Sequence, residues 1–148
     1  MKKKPPECEA GIVTVFSVSP AEEDHVVLGQ ILTGSNGTNL KFSVEASLTL
    51  ASALTVLQKS RIPIVVSERD LPPGSWKDLL DHSTHLEVPP LLIVTSRVAD
   101  ERLWAEALNL GAWDVLRKPF DAQEVRRVVE GAWLRWTNEH EDVPRAGG

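Results

Sequence analysis

The sequence predicts one α/β domain with a doubly wound, five-stranded parallel sheet. Two observations predict it. Short β-branched or apolar runs alternate with segments of helical periodicity along most of the chain. Strand-then-helix units of this length close with right-handed crossovers, which leave helices on both faces of the sheet. The 148 residues, 42% hydrophobic and 25% charged, suit a single domain with a real core.

The first strand is Ile12 to Val18. Ser19-Pro20-Ala21-Glu22 then supplies a cap, a proline for the first helical position and a capping-box acid, so a helix is expected there with Val27, Leu28, Ile31 and Leu32 inward. Thr33 to Gly37 is turn chemistry, and Leu40 to Val44 reads as the second strand. Ala46 to Lys59 repeats apolar residues at helical spacing through Leu50, Ala53, Leu54 and Leu57. Ile62 opens the third strand, with Pro63 tolerable only at its start. Trp76 to His82 is a short helix, Leu91 to Thr95 a buried strand, Asp100 to Leu110 a helix closed by Gly111, and Trp113 to Leu116 the fifth strand. The last helix runs from Asp121 to about Asn138, with Val125, Val128, Val129, Ala132, Trp133 and Trp136 on one face. The expected domain is residues 11–138, between a disordered leader, 1–10, and a disordered polar tail, 139–148.

Charge and cysteine content narrow the function. A net charge of −5 gives no electrostatic footprint for nucleic acid or an anionic membrane, and Lys2-Lys3-Lys4 is only a short basic tip. The single cysteine, Cys8, excludes an internal disulfide framework and a cysteine metal site, so the cytoplasm is the expected compartment. No apolar run reaches membrane-spanning length.

Chemistry on an open parallel sheet sits outside the carboxyl ends of its strands. Ser19-Pro20, Ser67-Glu68, Thr95-Ser96 and Lys118-Pro119 all belong to that edge. The spacing Glu68-x-x-Leu71-Pro72, Thr95-Ser96 ending the fourth strand, Gly111-Ala112 before the fifth, and Lys118-Pro119-Phe120 together resemble the CheY-like receiver domain of bacterial response regulators. The resemblance covers about residues 11 to 138 and implies a flavodoxin-like (βα)5 fold with strand order 2-1-3-4-5. In that family an aspartate ending the third strand accepts a phosphoryl group from a histidine kinase. Two acids after the first strand help hold Mg²⁺, a Ser or Thr and a lysine contact the phosphoryl oxygens, and an aromatic in the fifth strand reports the switch. Carried over, Glu68 takes the acceptor position, Thr95 the hydroxyl position and Lys118 the lysine position, with Lys118-Pro119 at the family's cis peptide. The acidic pair becomes Ser19 and Pro20, and the switch aromatic becomes Val115.

These departures matter chemically. Mg²⁺ needs a tight octahedron of oxygens, which Ser19 and Pro20 supply poorly. Glu22, Glu23 and Asp24 are expected to serve the helix N-terminus, the alternative being a relocated metal site. Glu68 reaches on the order of 1.5 Å further than an aspartate, and a misplacement of about 1 Å can cost on the order of a hundredfold in rate. Its carboxylate is either an imperfect phosphoryl mimic or one half of a structural ion pair with Lys118. The resemblance thus implies a non-enzymatic, stand-alone signalling module without a cofactor. The alternatives are a phosphoryl-accepting receiver using Glu68 and a non-standard Mg²⁺ site, and a flavin or nucleotide binder, which would need a glycine-rich or Ser/Thr-rich loop where "SVSPAEED" stands.

Implied partners are a histidine kinase, an output protein, or a second copy of the chain through the face formed by the fourth helix, fifth strand and fifth helix. Trp104, Leu108 and Val115 are its candidate residues, Trp being a frequent interface anchor; Trp104 packed against the edge of the fifth strand is the alternative. Trp133 and Trp136 belong to the core, as Trp113 does, while Trp76 is a candidate cover for the site. Asp70 reads as a turn residue, and His82 and His85, lacking a third ligand, as a solvated loop.

Overall fold

The structure, a computed structural model, describes residues 11–34 and 40–141. The proposed leader, with Lys2 to Lys4 and Cys8, lies outside these residues, as do Ser35 to Gly37 and the tail beyond 141. In chain order the elements are β1 (Ile12–Val18), α1 (Glu22–Thr33), β2 (Lys41–Ser47), α2 (Leu50–Lys59), β3 (Ile64–Glu68), β4 (Asp70–Leu71), β5 (Gly74–Ser75), α3 (Trp76–Ser83), β6 (Leu91–Ser96), α4 (Glu101–Leu110), β7 (Asp114–Arg117) and α5 (Ala122–Glu141). The main sheet has the order β2-β1-β3-β6-β7 and every pairing is parallel. This is the expected 2-1-3-4-5 once the small β4–β5 hairpin is set aside.

Alternate residues of the central strands feed two cores. Val13, Val15, Ile64, Val66 and Ile93 face α1 and α5, where they meet Leu28, Leu32, Val125, Val129 and Trp133. Phe16, Val18, Val65, Leu92 and Val94 face α2, α3 and α4, where they meet Ala53, Leu57, Leu79, Leu103 and Ala107. Burial on both faces explains why these strands are continuous apolar runs rather than alternating ones. Trp133 and Trp136 stack at 5.8 Å in the first core, and the Trp136 indole donates to the Pro89 carbonyl. Trp113 packs at that core's edge beneath the Arg135 guanidinium.

Several boundaries differ from expectation for identifiable reasons. Ala46 and Ser47 extend β2 rather than opening a helix, because the ladder with β1 continues to Val18–Ser47; Thr49 then caps α2 by accepting from the Ser52 amide. Asp70, expected as a turn residue, instead opens a two-stranded hairpin over residues 70–75, around Pro72-Pro73. A Cβ at Gly74 would meet the Asp78 carboxylate and the Leu50 side chain, so a larger residue there would have to shift both. That carboxylate completes a capping box with Ser75 at the start of α3. Gly111 ends α4 in the left-handed region, φ 112°, which favours glycine. α5 continues to Glu141, past the expected end near Asn138. No helix among the described residues is long and apolar enough to cross a membrane.

Candidate functional site

Strand register brings the predicted residues together. Glu68, last in β3, lies beside Thr95 of β6, and Ser96 pairs with Arg117 in β7, which delivers Lys118 to the same edge. The Lys118 amide donates to the Ser96 carbonyl at 3.0 Å, and the Lys118-Pro119 peptide is cis. The Lys118 ammonium contacts Glu68 Oε1 at 2.5 Å, and the Thr95 hydroxyl donates to the same oxygen at 3.2 Å. Glu68, Thr95 and Lys118 therefore form one cluster, with Lys118 only 9% exposed.

A second carboxylate completes it. Asp24 Oδ2 accepts from the Lys118 ammonium at 2.8 Å and from the Ser19 hydroxyl at 2.6 Å. Asp24 is buried, while Glu22 and Glu23 are exposed. The expectation that all three acids simply serve the helix N-terminus is corrected for Asp24, which reaches into the sheet edge. A signal for this was present: Asp24, Leu28 and Leu32 follow an i, i+4, i+8 progression and share the buried side of α1. Ser19 does not cap α1 as expected. The helix starts at Glu22 with Ala21 in the cap position, and the Ser19 hydroxyl instead accepts from the Ala21 amide while donating to Asp24. Pro20 is exposed and makes no side-chain contribution to the cluster. His25 packs behind it, with Nε2 donating to the Ser19 carbonyl at 3.0 Å and Nδ1 bonded to the Ser17 hydroxyl at 2.8 Å.

One ammonium thus sits between two carboxylates, with two hydroxyls satisfying further lone pairs. Burial alone would lower the Lys118 pKa. The hydrogen bonds to Asp24 and Glu68, reinforced by their charges, more than offset this, so the ammonium is held above the ordinary lysine value of 10.5. Such a buried group is costly to break, because removing the cation leaves two carboxylates facing each other away from water.

The remaining candidates separate. Val115 is 3% exposed and packs into the core on the α4 side, so the expectation that it forms part of a surface is corrected: its side chain points beneath α4. Trp104 and Leu108 lie four residues apart on the outer side of α4 and are 40% and 44% exposed. Trp76 does not cover the site; it is buried in the core with Phe16, Leu71 and Leu79. Asp70 pairs with Arg69 at the surface, 3.1 Å apart, which raises the Arg69 pKa through that hydrogen bond and charge. His82 and His85 lie at the opposite end of the sheet, and no group of three His, Cys, Asp or Glu able to hold a metal occurs among the described residues.

No family model matches the chain, and neither does any curated protein. Solved structures do. The signal receiver domain of a putative LuxO repressor protein from Vibrio parahaemolyticus superposes with a TM-score of 0.77 at 19% identity, covering 91% of this chain and 97% of that one. The fold is that of a receiver domain. The receiver domain of an HD domain-containing protein from Pseudomonas fluorescens Pf-5 gives a TM-score of 0.72 at 23% identity, over 84% and 97% of the two chains. The beryllofluoride-activated NtrC4 receiver domain, solved as a dimer, gives 0.72 at 20% identity, over 83% and 98%. These likenesses establish the receiver-like architecture of the fold.

Proposed function

We propose that the chain is an atypical receiver acting as a protein-interaction module in two-component signalling, without Mg²⁺-dependent phosphorylation. The observation that carries this reading is the double engagement of Glu68 Oε1 by the Lys118 ammonium and the Thr95 hydroxyl. The two groups that a receiver would turn toward a phosphoryl group are already bonded to a carboxylate of the protein itself. Glu68 stands in for that group with a single charge, against the −1.5 to −2 of a phosphate.

The donor set does not fit Mg²⁺. Each carboxylate of the cluster gives one oxygen to Lys118, Asp24 Oδ2 and Glu68 Oε1, so its ammonium stands where a cation between them would have to sit, and the Ser19 hydroxyl is committed to the same Asp24 oxygen. Mg²⁺ would have to displace a buried ammonium while shedding its own tightly held water.

Contact with another protein is the output this reading leaves. Trp104 and Leu108 support it as an exposed apolar pair on α4, with Trp suited to anchor an interface. The partner is a kinase or output protein of the pathway, or a second copy of the chain.

Intact-mass spectrometry after incubation with Mg²⁺ and acetyl phosphate tests the chemistry. No adduct is expected on the natural protein, whereas one is expected on Glu68→Asp combined with Ser19→Asp and Pro20→Asp; an adduct mapped to Glu68 of the natural protein would overturn the reading. Sedimentation velocity tests the surface. Any concentration-dependent self-association should be lost in Trp104→Ala with the fold intact, and association unchanged by that substitution would remove Trp104 from the interface.

A further inference from the structure

We infer that the pole of the sheet opposite Glu68 holds a binding pocket for a small zwitterion of amino-acid type, with a carboxylate and an ammonium on a short apolar body. A cavity of about 290 Å³ opens where α2 and α3 end and the chain turns into β3 and β6. That volume is at the lower end of those that take small ligands. Its separation from Glu68 is about the length of β3, roughly 16 Å at about 3.3 Å per residue.

The lining sorts by chemistry into three sets. Leu57, Leu86 and Val88 give it an apolar wall. Two donors face it from the end of α2, the Ser60 hydroxyl and the half-buried Arg61 guanidinium, and neither side chain has a hydrogen-bond or ion-pair partner among the described residues. Acceptors come from both α2 and the segment after α3. Glu87 likewise lacks a partner among the described residues. His85 spends Nδ1–H on the Asp81 carbonyl, which leaves Nε2 of the neutral ring as an acceptor. The Gln58 amide nitrogen donates to His82 Nε2, which leaves the Gln58 carbonyl oxygen over.

An anion alone would leave Glu87 opposed by like charge, and a cation alone would do the same to Arg61. A zwitterion meets both, its carboxylate on Arg61 and Ser60, its ammonium on Glu87 and the acceptors beside it. Arg61 is the residue type suited to planar carboxylate recognition. This inference is independent of the signalling reading, since it shares no residue with the Glu68 cluster.

The test is a ¹H–¹⁵N NMR titration of the full chain with L-leucine, isocaproate, which lacks the amine, and isoamylamine, which lacks the carboxylate. Leucine should move amides of residues 57–61 and 82–88, and each analogue should bind more weakly. Arg61→Gln should weaken leucine binding about tenfold, and Glu87→Gln should weaken leucine while leaving isocaproate unaffected; unchanged spectra elsewhere confirm the fold of each variant. Absence of shifts at tens of millimolar leucine, shifts confined to other regions, or equal binding by Arg61→Gln would overturn the proposal.

Discussion

The two ends of the sheet treat charge in opposite ways. At the carboxyl end Lys118 and Asp24 are buried and Glu68 partly so, both carboxylates bonded to the Lys118 ammonium, with Ser19 and Thr95 completing the set. At the amino end Arg61 and Glu87 line an open cavity and bond to nothing among the described residues. The difference teaches what a sheet edge can be used for. Charges that satisfy one another hold loops in place and leave little for a ligand, whereas charges left unsatisfied around a cavity are free to recognise one.

The strongest way to break this contrast is to remove the central cation. Lys118→Met should destabilise the protein by about 3–5 kcal/mol in urea unfolding, because the buried Asp24 and the partly buried Glu68 then lose their compensating cation. A loss within about 0.5 kcal/mol, the ordinary surface effect, would mean that water reaches the cluster freely. By the same logic Arg61→Gln, at the open end, should change stability by no more than about 0.5 kcal/mol.

A change of pH acts on the same ammonium by a smaller amount. The folded Lys118 pKa lies above its unfolded value, so the native state holds this proton more tightly. Its contribution is fully present below the unfolded value, near 10.5, and is lost as pH rises through the higher folded value. Urea midpoints should therefore fall more steeply above that pH in the natural protein than in Lys118→Met. Parallel profiles would contradict the assignment.

Much of the site was legible from residue type and strand position. Glu68, Thr95 and Lys118 each follow an apolar strand whose register the sheet topology sets, so their convergence needed only the strand order. Asp24 was harder, because acids in a first helical turn have a sufficient local explanation; only the spacing to Leu28 and Leu32 pointed it inward. Ser19 was misread for a related reason, since a serine before a proline is a good local cap, and its tertiary bond to Asp24 overrides that preference. Val115 was placed on the surface through its position in the strand order, but β-strand alternation aims it beneath α4. The Trp residues divided similarly: periodicity placed Trp133 and Trp136 correctly, whereas Trp76 follows a hairpin that no simple pattern announces.

A double-mutant cycle on Glu68 and Lys118 tests the central claim most directly. Urea unfolding of the natural protein, Glu68→Gln, Lys118→Met and the double variant yields the coupling energy between the two side chains. A closed internal pair predicts a coupling above about 1.5 kcal/mol, within the range seen for residues of one ion-pair network. Additive effects, with coupling under about 0.5 kcal/mol, would mean that Glu68 and Lys118 do not hold each other and that the cluster is open.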